Sequence, residues 1–272
     1  MRPAVRRGLR VAAAAGVFLF VLLASLYVSL PDVRPLARTA PDTTAFMQLR
    51  ESEAAAAGRP TRQRYRWVPY ARISPHLRRA VLVAEDDRFF QHDGIDVTQI
   101  RQSLALNLRR WRAVRGGSTI TQQLAKNLYL SPSRNPLRKL RELFIARRLE
   151  AELSKVRILE LYLNVIEWGD GIWGAEAAAR TYFRVSAAGL TREQAALLAG
   201  AIVNPRVLNP ARPRQRLQRR QHLILARMGS GAPATAAMRN SAPPEEAVAP
   251  SGLPDSDELR LDSVQLEEAA PQ

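Results

Sequence analysis

Apolar residues fall along this chain in three regimes. Residues 11–30 are an uncharged run of Ala, Val, Leu and Phe, and from about Tyr65 to Met228 apolar positions recur at helical spacing. After Met228 the periodicity fades into Pro, Ala, Ser and acidic residues. At about 1.5 Å per residue the first run matches a hydrocarbon core of about 30 Å, so it predicts one transmembrane helix over 11–30. The middle regime carries helix-start signals at Ser74-Pro75, at Asp96 with Gln99, at Thr119 with Gln122, and at Thr191-Arg-Glu. No alternating strand pattern is visible, which predicts a mostly α domain over 63–228. Residues 31–62, with Pro31, Pro35, Pro41, Pro60 and the soft run Ala54–Gly58, read as a linker, and 229–272 as a disordered acidic tail.

Charge sharpens this division. The net charge is +16, yet the tail has eight acidic residues against Arg239 and Arg260, a net −6, which leaves +22 on residues 1–228. So basic a body seeks polyanions: nucleic acid, anionic headgroups or a phosphate-bearing substrate. Arg2, Arg6, Arg7 and Arg10 precede the apolar run, the positive-inside arrangement. Residues 1–10 are then a cytoplasmic basic segment and everything beyond Leu30 lies outside the membrane, which argues against nucleic acid. A cleaved signal peptide is the alternative, though the run is long and lacks a clean small-x-small site. Absence of cysteine excludes thiol nucleophiles, zinc thiolates and disulfides.

Three stretches concentrate chemistry. Glu85, Asp86 and Asp87 end an apolar helical run, where mutual repulsion, the helix dipole and burial each raise a carboxylate pKa toward that of a general base. A solvated acidic turn would look the same, and His92 in the following Phe89-Phe90-Gln91-His92-Asp93-Gly94 reads as a hydrogen-bonded turn residue. Gly116-Gly117-Ser118-Thr119 leads into a helix on which Thr119, Gln122, Gln123 and Lys126 share one face, opposite Ile120, Leu124 and Leu128. A polar stripe at a helix start suits a phosphate or sugar; an ordinary exposed face is the alternative. Of 41 basic residues only Lys126, Lys139 and Lys155 are lysine, all within one thirty-residue window, and ammonium and guanidinium are not interchangeable at a specific anion site. Arg138 and Glu142 form an i,i+4 pair that taken alone is a surface salt bridge. Ile158, Leu159, Tyr162 and Leu163 read as a core stripe, and Trp111 among Arg109, Arg110 and Arg112 as an interfacial patch or an amphipathic helix end.

The motifs Glu-Asp-x-x-Phe-x-x-His-x-Gly, Gly-Gly-Ser-Thr-Ile-Thr-Gln-Gln-Leu-x-Lys-Asn, Arg-Lys-x-x-Glu, Lys-x-x-Ile-Leu-Glu-x-Tyr-Leu-Asn, and Glu193-Gln-Ala-Ala-Leu-Leu-Ala with Asn204-Pro205 occur in that order. In this the chain resembles the family 51 peptidoglycan glycosyltransferases over about Trp67 to Pro210, and with only the acidic stretch beyond, their monofunctional biosynthetic members. The resemblance implies a mostly α, lysozyme-like, two-lobed fold and polymerisation of lipid II into β-1,4-linked glycan with release of undecaprenyl pyrophosphate. It implies Glu85 as base on the acceptor hydroxyl and Glu142 as second carboxylate near the pyrophosphate. Asp86, Phe89, His92, Gly116, Ser118, Thr119, Gln122, Gln123, Lys126, Arg134, Arg138, Lys139 and Lys155 are the implied substrate-binding positions. A divalent cation, Mg²⁺ in the usual case, is implied as cofactor, without a ligand set legible in the sequence. Lipid II, the growing glycan, the membrane and cell-wall synthesis or division proteins are the implied partners. Many relatives have Gly-Lys where this chain has Arg184-Val185. A glycan-cleaving hydrolase of similar fold and a non-catalytic lipid II-binding scaffold are the rival readings.

Overall fold

A computed structural model describes residues 3–60, 63–98, 100–101, 117–133 and 135–229. Gln99, the Trp111 patch, Gly116, Arg134 and nearly all of the acidic tail lie outside the described residues. The described part is mostly helical, as the spacing predicts. Its helices are α1 (Pro3–Val28), α2 (Ala45–Ala56), α3 (Pro75–Glu85), α4 (Ile120–Tyr129), α5 (Pro136–Glu152), α6 (Lys155–Val165), α7 (Ala175–Phe183), α8 (Arg192–Ala201) and α9 (Gln215–Gly229). Six begin at a side-chain cap: Thr44, Ser74, Thr119, Asn135, Ser154 and Thr191 each accept a backbone N–H of the first turn. Such caps contribute about 1 kcal/mol each. Pro75 and Pro136 add fixed backbone torsions at the start of α3 and α5. The capping box of α8 closes through Gln194, one residue beyond the Glu193 of the sequence signal.

Two helical groups organise the domain. In one, α3, α8 and α9 pack on each other; in the other, α4 packs on α2, α5 and α6. Leu77, Val81, Leu82, Ile120, Leu124, Ile145, Leu149, Ile158, Leu159 and Leu198 are fully buried members of the core they share.

Two features depart from the sequence reading. Residues 31–60 are not an open linker: Val33 and Leu36 are buried in the main core, Met47 of α2 is buried, and α2 packs on α4. The prolines there shape turns within the fold instead of interrupting it. A small sheet also exists, with β1 (Arg64–Tyr65), β2 (Glu167–Gly169) and β3 (Ile172–Trp173) in the order β1-β3-β2. β1 runs parallel and β2 antiparallel to β3. Strands of two or three residues are too short to display a period, and β2 and β3 are wholly buried. Asn164 of α6 holds the segment after β1, accepting from the Val68 N–H and donating to the Val68 carbonyl, and also donates to the Glu160 carbonyl of its own helix, each at 2.9 Å. Gly174 (φ 80°) is required beside it, because a Cβ there would lie 2.5 Å from the Asn164 carbonyl oxygen.

α1 presents Val17, Phe18, Phe20 and Val21 to the outside. Among the described residues no helix is long and apolar enough to cross a membrane; the side chains of Val11, Leu19 and Leu22 within the run are outside the description.

Candidate active site

The loop that follows α3 spreads its three acids apart. Asp86, 1% exposed, turns inward: its carboxylate accepts the Ile120 N–H at 3.0 Å and lies 3.0 and 3.1 Å from Nε2 of His92. Asp87 pairs with Arg227 of α9 at 2.9 Å. The acids therefore take separate partners, although Asp86 still adds repulsion at Glu85. The same geometry occupies part of the α4 N-terminus. Its Ile120 N–H is taken by the Asp86 carboxylate and its Gln122 N–H by Oγ1 of Thr119. Asp86 plays the anion's part there.

Behind this loop lies a buried frame. Thr119 donates to the Gly94 carbonyl at 2.7 Å, and Phe89 packs edge-on against His92. Lys155 sits 4.4 Å above the Phe89 ring and donates to the His92 carbonyl and to Glu150. Gly94, at φ 82°, has Cγ of Glu150 3.0 Å from where a Cβ would stand. Asp86, Phe89, His92, Thr119 and Lys155 are thus brought together, as structural ties that fix the loop against α4 and α5.

Glu85, the last residue of α3, faces the other way. Its Oε2 accepts the Gln123 side-chain N–H at 2.9 Å, and the Gln123 carbonyl oxygen accepts the hydroxyl of Tyr162 at 2.9 Å. Tyr162 is fully buried, so α6 holds α4's glutamine, which in turn holds the carboxylate. Burial raises the Glu85 pKa above the usual carboxylate range; the Gln123 hydrogen bond, Arg220 and Lys126 oppose the rise, and Asp86 adds to it. Desolvation, more than repulsion, thus makes this carboxylate more basic.

Gln123, Lys126, Asn127 and Tyr162 line a cavity of about 240 Å³, closed by Phe46 and Arg50 of α2 and by Asn204 and Arg206 beyond α8. Lys126 is half-buried, with Nζ 5.5 Å above the Phe46 ring. Burial depresses its pKa; Glu142 and Glu85 favour its charge, while Arg138 and Lys139 disfavour it. The ammonium therefore lies in the joint field of both candidate carboxylates.

Glu142 is 3% exposed, so its contact with Arg138, 2.5 Å between Nη1 and Oε2, is a buried pair and not a surface bridge. Its Oε1 pairs with Lys139, which also reaches Oγ of Ser118 at 3.1 Å and Oε1 of Gln122 at 3.3 Å. Gln122 is 1% exposed, so the polar face of α4 serves two sides: Gln123 and Lys126 toward Glu85, Gln122 toward Glu142.

Among the described residues no group of three or more His, Cys, Asp or Glu side chains can hold a metal ion, and both oxygens of Glu142 carry cationic partners.

Sequence reasoning passed over Tyr162, Phe46, Arg50 and Glu167. Tyr162 occupies a core position on the α6 stripe, and its hydroxyl, buried at the tip, was the signal available. Phe46 and Arg50 were hidden in the supposed linker.

The Transglycosylase family pattern matches residues 51–229. Over 190 residues the chain is 48% identical to a biosynthetic peptidoglycan transglycosylase of Nitrosospira multiformis, covering 70% of this chain and 83% of that protein. A protein of the same name from Thiobacillus denitrificans is 52% identical over 190 residues, covering 70% and 82%. Another, from Aromatoleum aromaticum, is 55% identical over 166 residues, covering 61% and 72%. The matched region contains Glu85, Gln123, Lys126, Glu142, Tyr162 and Arg206, whereas Phe46 and Arg50 of the cavity wall precede it, and on this evidence the chain belongs to the transglycosylase family.

Proposed function

We propose that this protein is a peptidoglycan glycosyltransferase that polymerises lipid II into β-1,4-linked glycan strands, with Glu85 as general base. The observation that carries the reading is the relay from Tyr162 through Gln123 to Glu85, which fixes a desolvated carboxylate beside a cavity containing Lys126. Glu85 takes the proton of the acceptor sugar's hydroxyl as that oxygen bonds to the donor's anomeric carbon. The anomeric C–O bond to pyrophosphate breaks with inversion, and its electron pair leaves on the pyrophosphate. Lys126, with Arg138 and Lys139 held by Glu142, offsets the charge that grows there. Cationic side chains suit this task because they are oriented before reaction and need no reorganisation during it.

The membrane association and the two-lobed, lysozyme-like division belong to this proposal. The uncharged stretch 11–30, the arginines before it and the exposed apolar residues of α1 support a single-pass anchor with a cytoplasmic N-terminus and an external catalytic domain. The two helical groups, with Glu85 on one and Gln123 and Lys126 on the other, support a cleft between lobes. Incubating the detergent-solubilised protein with labelled lipid II tests the activity: glycan polymer is expected, whereas no product, or release of soluble fragments from purified sacculi, would refute it.

A further inference from the structure

The cavity beside Glu85 changes character toward β2, where Arg50, Glu167 and Arg206 line it. Glu167 is 6% exposed. Its Oε2 takes a fork from Arg50, Nε at 3.1 Å and Nη2 at 3.0 Å, whereas Oε1 is buried without a hydrogen-bond partner. Buried polar atoms are rarely left so, because the lost hydration has no replacement. Burial accordingly raises the Glu167 pKa, with Arg50 opposing it. On the same wall Arg206 contacts Asp170 through Nε at 3.2 Å and Glu53 through Nη1 at 3.5 Å. A guanidinium has five N–H groups, so donors remain. Arg50 and Arg206 also line a second hollow of about 300 Å³, with Glu53, Arg59, Gln63 and Asp170.

One wall thus offers an oxygen that lacks an N–H or O–H partner next to guanidinium donors that suit a carbonyl. A compact planar group presenting both is a secondary amide. We infer that Glu167 and Arg206 bind the acetamido group of the acceptor sugar, Glu167 Oε1 accepting its N–H and Arg206 donating to its carbonyl, so that the 4-hydroxyl of the same ring is turned toward Glu85. The inference rests on the glycan-polymerising reading above, which brings an amino sugar into this cavity. A purely structural role for Glu167, tying α2 to β2 through Arg50, makes a different prediction.

The test compares lipid II with a synthetic lipid II whose terminal sugar carries a hydroxyl in place of its acetamido group. For the wild type the replacement should lower kcat/KM by roughly 10-fold or more, mainly through KM. In Glu167→Gln, lipid II itself should lose a similar factor, while the further loss on the analogue should shrink to within about 3-fold, because the shared contact is already gone. Equal losses on the analogue for variant and wild type, or a variant altered only in melting temperature, would overturn the inference. If Glu167→Gln does not fold, Arg206→Ala, at a half-exposed side chain, must show the same coupling, and its absence is equally decisive. Failure of the wild type to make any polymer from lipid II would instead sink the glycosyltransferase reading.

Discussion

Replacing Lys126 by arginine keeps the charge and changes its shape, so it isolates geometry. The lysine Nζ sits over Phe46 in a cavity walled by Gln123, Asn127 and Tyr162. A guanidinium is broader and flatter and would move the charge centre by roughly 2 Å. Two charges about 4 Å apart interact by about 4.2 kcal/mol at an effective dielectric of about 20, and at about 6 Å by about 2.8 kcal/mol. That displacement loses about 1.4 kcal/mol, and one misaligned charge-assisted hydrogen bond loses about 1.5 kcal/mol more. The total corresponds to roughly 10²-fold in rate. Steady-state polymerisation of labelled lipid II reads it, and the loss should appear in kcat as well as KM, because the charge it opposes grows only as the pyrophosphate departs. Burial depresses the Lys126 pKa, so the wild type should also lose activity on an alkaline limb below the usual lysine range. That limb should vanish in Lys126→Arg, since arginine stays charged. Normal turnover by the variant, or an unchanged alkaline limb, would refute the assignment and leave the lysine cluster an accident of composition.

Three further outcomes follow from single positions. Arg184, which closes α7, holds φ 59° and ψ 26°, the left-handed region that favours glycine; Arg184→Gly should stabilise by about 1 kcal/mol and raise Tm by about 2–4 °C, and an unchanged or lower Tm would count against the strain. Asn164→Leu should destabilise by about 2–5 kcal/mol in denaturant titration, because it leaves the Val68 N–H and carbonyl unpaired where Asn164 is fully buried; a loss below about 1 kcal/mol would show that the segment after β1 holds without it. The raised pKa of Glu85 means the folded state holds this proton more tightly than the unfolded chain. Its stabilising contribution is therefore complete below the ordinary carboxylate pKa and is lost as pH rises through the folded value. The acid limb of kcat/KM should lie above the usual carboxylate range, and at neutral pH Glu85→Gln should melt no lower than wild type; a clearly lower Tm would contradict the desolvation account.

The helical frame was legible because its caps are local chemistry: Ser74, Thr119 and Thr191 announce helix starts within four residues, and each does so in the structure. The small sheet and α2 were not, since both depend on tertiary partners. β2 and β3 are buried within the domain, and α2 earns its place by packing on α4 with Met47 buried and by the Arg50–Glu167 pair. The same distinction runs through the site. Glu85, Gln123, Lys126 and Glu142 stood out as residue types in a pattern, but the inward turn of Asp86 into the α4 N-terminus could not be read from three adjacent acids. Tyr162 was invisible as a partner of Gln123 because an apolar stripe gives no sign of where a hydroxyl at its tip will end.

The central claim is that Glu85 removes the acceptor's proton. Glu85→Gln keeps the side chain's shape and a carbonyl oxygen for Gln123 while removing the base. Detergent-solubilised wild type and variant, shown to fold alike by circular dichroism, are given labelled lipid II, and polymer is followed alongside lipid II binding. The account predicts binding close to wild type and loss of polymerisation by at least about 10³-fold; polymer formed within a few-fold of the wild-type rate would contradict it.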